Sequence, residues 1–102
     1  MVNFFNTNIK KEQINNGDSM SASNFEILQK VLTDLSGEIE AVKEYELHIQ
    51  STNNNVAKKT WQNIKQEELN HIGELLALID YLEPSYQQYV EQGINEFNEK
   101  IN

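Results

Sequence analysis

The chain has no cysteine and no arginine, a single proline, and no apolar run of membrane-spanning length. Without cysteine there can be no disulfide, no thiolate nucleophile, and no rubredoxin-type or zinc-finger sulfur site. Arginine is the usual reader of phosphate and base edges. Its absence, with eight lysines against sixteen acids and a formal charge of −8, argues against nucleic acid as a partner. A transmembrane helix needs about 18 or more consecutive apolar residues, so no membrane span is expected. The N-terminus lacks a basic start followed by an apolar core, so no secretory signal is expected and a cytoplasmic location is. What remains is acidity. It keeps a small helical protein dispersed, and it raises the local concentration of cations.

At 102 residues the chain is expected to form one small domain. Residues 1–22 are rich in Asn and Ser, show no sustained period and read as a flexible arm. Residues 23–102 form the folded domain. Ser23-Asn24-Phe25-Glu26 fits a capping box, with Ser23 as N-cap. A helix is predicted from there to about Ser51, with Val31, Leu35, Glu38, Val42, Tyr45 and Ile49 spaced alternately by four and three. Ser51-Thr52-Asn53-Asn54-Asn55 is a short polar turn of the kind that joins antiparallel helices. A second helix runs from about Val56 to Leu82, on the stripe Trp61, Ile64, Glu68, His71, Leu75, Leu78 and Leu82. Glu83 precedes Pro84 and is pushed out of the helical region, whereas Pro84 suits the first turn of a third, shorter helix.

Three polar residues interrupt these stripes: Glu38 in the first helix, and Glu68 and His71 in the second. A buried carboxylate costs several kcal/mol unless it is paired or bound to metal. Taking Asn53 as the centre of the turn, Glu38 and Glu68 are equidistant from it. They should therefore face each other across an antiparallel hairpin, with His71 one turn further along. Singly, each has an ordinary explanation: a solvated acid, a satisfied core histidine, a register-setting polar residue. Together, two carboxylates and an imidazole are a ligand set for iron, manganese or zinc. One hairpin leaves one side of its seam open, and a second copy would close it. The result would be an all-α four-helix bundle with four Glu and two His, the ligand arrangement of the ferritin-like di-iron carboxylate proteins, here split over a homodimer.

Glu38-x-x-Ala41-x-x-x-Tyr45, followed by Glu68-x-x-His71, resembles half of a rubrerythrin or ferritin, and the single-hairpin length is similar to the encapsulated ferritins. The likeness covers about residues 24–95. It implies a ferroxidase that oxidises Fe(II) to Fe(III) for iron storage or detoxification. It implies Glu38, Glu68 and His71 as iron ligands, two irons per dimer, Tyr45 close to them, and dimers assembled into rings such as decamers. Glu67 and Glu74 are expected to orient ligands or relay iron. The same fold also admits a rubrerythrin-like peroxide reductase with a separate electron donor, and a metal-free helical assembly module is the third reading. The chain departs from encapsulated ferritins at Gly37, where an acid commonly stands, and at Glu44, where an aromatic is common. Its last residues, Asn98-Glu99-Lys100-Ile101-Asn102, do not resemble the tail that targets such proteins to an encapsulin shell.

Overall fold

The computed structural model describes residues 21–102. They form three helices: α1 over Ala22–Gln50, α2 over Asn55–Leu82 and α3 over Ser85–Ile101. Residues 1–20, which hold most of the expected N-terminal arm, lie outside the described residues. Among those described there is no strand, and no helix is long and apolar enough to cross a membrane.

Side chains set most of the helix boundaries. The N-cap of α1 is Ser21 rather than the expected Ser23. Its extended backbone lets Oγ accept from the Asn24 N–H at 3.2 Å, while its carbonyl accepts from the Phe25 N–H at 2.9 Å. Both serines are competent caps, and use of the earlier one adds two residues to the helix. At the turn, the Ser51 N–H and Oγ both donate to the His48 carbonyl, at 3.1 and 2.9 Å. Asn54 then caps α2 by accepting from the Ala57 N–H at 3.0 Å. Pro84 precedes α3 with a helical φ of −61°, and Ser85 Oγ donates to Glu83 Oε1 at 2.7 Å across the α2–α3 corner.

Because α1 and α2 run antiparallel, the start of α1 meets the end of α2. The compact core lies there: Leu28 and Val31 against Ile79 and Leu82, with Leu35, Leu75 and Tyr81 packed around them. Ile49 is buried at the other end, near the turn. The predicted stripe of α2 is offset slightly from the real seam. Leu78, on the stripe, is 36% exposed, whereas Ile79, beside it, is 4% exposed. A two-helix seam is narrower than a bundle core and is centred on the line that runs through Glu68, Ile72, Leu75 and Ile79. Asp80 is 1% exposed and therefore buried, a position no stripe analysis singled out. Helix α3 extends from the same end and buries none of its residues.

Candidate metal centre

Midway along the seam the aliphatic packing gives way to Glu38, Glu68 and His71. Each offers a ligand atom, and these atoms lie within 4.8 Å of one another. His71 Nδ1 stands 3.4 Å from Glu38 Oε1 across the seam and 4.0 Å from Glu68 Oε2 on its own helix. The second contact follows from the three-residue spacing, which stacks side chains on one helical face. The first depends on hairpin register. The cross-seam neighbours His71–Glu38, Lys65–Glu46 and His48–Trp61 put the level centre of the hairpin between Asn54 and Val56. That is one or two residues beyond Asn53, so Glu38 comes level with His71 rather than with Glu68. The shift is within the reach of a Glu side chain, and the three groups still converge.

Their burial is graded. The side chains of Glu68 and Glu38 are 19% and 24% exposed, and that of His71 is 48% exposed. The cluster thus has its carboxylates rooted in the seam and its imidazole at the rim. It opens onto a groove of about 570 Å³, whose walls add Thr33, Asp34 and Gly37 from α1 and Glu74 and Leu75 from α2. Nothing lies within 4 Å of where a Cβ on Gly37 would stand, so the groove is open on that side.

The donor set fits a metal. Carboxylate and imidazole ligands sit about 2.0–2.2 Å from a transition ion, which requires donor atoms roughly 3–4 Å apart, close to the separations found. Three donors from one chain leave coordination positions open to solvent or to a further protein group. Among the described residues no other cluster of acids and histidines converges in this way.

Tyr45 is not among the groove-lining residues. It lies two turns along α1 from Glu38, about 10 Å by helical rise, and its ring meets His48 edge-on with centroids 6.1 Å apart. His48 in turn stacks at a tilt on Trp61, with centroids 5.0 Å apart. Of the two acids expected to assist, Glu74 lines the groove and Glu67 does not. Asp34 was not anticipated. It lies four residues before Glu38, and that spacing on one helical face was the available signal.

Comparison with protein-family models, with curated proteins and with solved structures found no match.

Proposed function

We propose that this chain is an iron-binding ferroxidase whose site is completed by a second copy docking over the groove. The observation that carries the reading is the convergence of Glu38, Glu68 and His71 from two helices onto one open groove. Two such half-sites facing each other supply four carboxylates and two imidazoles, enough to hold two metal ions with positions left for oxidant. Fe(II) is the substrate. Two ferrous ions each give up one electron, and dioxygen takes both electrons and two protons and leaves as hydrogen peroxide. The chain's own part is to hold the two ions close together. Asp34 and Glu74 at the groove mouth favour the approach of cations through their negative charge. Carboxylate-rich sites with histidine also accept manganese or zinc.

A metal-free reading has one observation in its favour. His71 and Glu38 at 3.4 Å form an ion pair whenever the imidazole is protonated, so the same residues could serve as a polar register device. Anaerobic titration with Fe(II) separates the two readings. About one iron per chain is expected, with binding lost in both Glu68→Ala and His71→Ala. Admission of oxygen should then yield Fe(III) faster than in protein-free buffer. A chain that takes up no iron, with assembly unchanged in both variants, would sink the metal reading.

A further inference from the structure

Phe25 and Leu32 are 50% and 41% exposed. They stand seven residues apart on α1, which puts both on one helical face. Leu28, between them, packs in the core beside Leu82, the last residue of α2. Phe25, about one turn earlier, therefore stands where α2 has already ended. The chain enters α1 at this same end, and twenty residues precede Ser21.

Those twenty residues are polar at most positions, yet they hold Phe4 and Phe5, two of the four phenylalanines, together with Val2, Ile9 and Ile14. Asn15-Asn16-Gly17-Asp18 then has the composition of a chain reversal. Asn and Asp side chains bond their own backbone, and glycine takes either sign of φ. About a reversal centred on Gly17 the apolar residues mirror each other. Ile9 stands eight residues before it and Phe25 eight after, and Val2 stands fifteen before it and Leu32 fifteen after. Phe5 falls between Val2 and Ile9 at steps of three and four, the spacing of a single helical face. Moving the centre by one residue shifts the match by about 3 Å at helical rise, less than one turn.

We infer that residues 2–14 return along α1 and cover Phe25 and Leu32 with Ile9, Phe5 and Val2. Alone, so polar a segment holds too little hydrocarbon to order itself, and the exposed line on α1 supplies the missing partner. Tethering selects this occupant. A segment joined by a short link is present at an effective concentration of about millimolar, which a second copy or a foreign protein at micromolar concentration does not match. Charge does not oppose the contact, because Lys10 and Lys11 balance Glu12 and Asp18 in a chain that is otherwise strongly acidic.

The test is nuclear magnetic resonance of the full chain in chelator, where the metal reading plays no part. Cross-peaks are expected between the Ile9 methyls and the Phe25 ring, and between the Val2 and Leu32 methyls. In an equal mixture of labelled and unlabelled chains, the spectrum selecting contacts between chains should lack them. Phe5→Asp and Ile9→Asp, neither in α1, α2 or α3, should erase the Val2–Leu32 contact while those of Leu28 with Ile79 remain. Leu32→Lys should speed amide exchange over residues 4–11 on the order of 10-fold. A wild type without contacts between residues 2–14 and α1 would overturn the inference, as would contacts that survive Phe5→Asp and Ile9→Asp. Contacts found only between chains would also overturn it and would give the surface to another copy.

Discussion

Glu38 and Glu68 open onto one side of the helical seam, and the residues that follow them, Ile39 and Leu69, open onto the other. The two sides are made by the same two helices in the same register, and they differ in the forces they offer a partner. One is a row of carboxylates around an imidazole, with attraction to cations and repulsion of its own kind. The other is apolar with mixed charge at its edge, and its attraction is the removal of hydrocarbon from water, about 25 cal/mol per Å². A one-residue step in sequence thus separates a groove lined by carboxylates from one lined mainly by hydrocarbon.

The largest expected effect breaks the comparison from the acidic side. Glu68→Ala removes one of the two most buried donors and leaves Glu38 as the one acid of the converging trio beside His71. Iron affinity should fall by at least about 100-fold, roughly 3 kcal/mol, as read by anaerobic equilibrium dialysis. Glu67→Ala, the adjacent residue outside the groove, should change it little. Equal losses in the two variants would mean that general surface acidity binds the iron, not the cluster.

Packing separates the apolar positions in the same way. Ile79→Ala hollows the core formed with Leu28, Val31 and Leu82 and should cost about 2–5 kcal/mol by urea unfolding. For Leu69→Ala, half exposed in the single chain, the cost measured where the chain is monomeric should stay within about 0.5 kcal/mol. If the two substitutions cost alike, Leu69 belongs to the core of one chain and the second face is not a surface at all.

Much of this organisation was legible in the sequence because it is periodic. Three helices, a polar turn over 51–55 and the break at Pro84 follow from stripe spacing and capping chemistry, and the bounds of α1 and α2 lie within a residue or two of those expected. The cluster was legible for a different reason. Polar residues on an apolar stripe are conspicuous, and symmetry about the turn brings Glu38 toward Glu68 and His71. What periodicity does not resolve is a rotation of about 100° per residue. It put Leu78 on the core stripe, where the structure buries its neighbour Ile79 instead. Which of two neighbouring serines caps α1 is a local choice between near-equal hydrogen bonds, and Ser21 took it. Tyr45 was tied to the site by resemblance alone, and its ring meets His48 instead.

Gly37 offers a milder probe of the acidic face. It lies inside α1, where glycine is about 0.5–1 kcal/mol worse than alanine, and nothing stands within 4 Å of a Cβ built there. Gly37→Ala should therefore stabilise the single chain by about that amount in urea. The informative result is the contrast between conditions. If a second copy closes over this groove, the same methyl group should weaken the iron-linked pair. A gain in stability with no change in the iron-linked pair would place the partner's backbone away from Gly37.

The smallest effect lies at the edge of the apolar groove. Lys65 Nζ donates to Glu46 Oε1 at 2.6 Å and Gln50 donates to the other oxygen at 2.8 Å, and these bonds, chiefly the one from Lys65, hold the Glu46 carboxyl below its ordinary value of 4.5. A carboxyl depressed by folding contributes stability that is fully present above the unfolded value and is lost as pH falls through the folded one. Glu46→Gln should therefore lower the urea midpoint slightly at neutral pH, and the difference should vanish toward pH 3 and shrink with added salt. On the proposed reading the acidic face answers to acid by another route, because carboxylate and imidazole ligands bind metal only when deprotonated. At about pH 5 the proposed iron-linked assembly should therefore come apart, as read by sedimentation. An assembly indifferent to that pH would mean that metal does not hold the copies together.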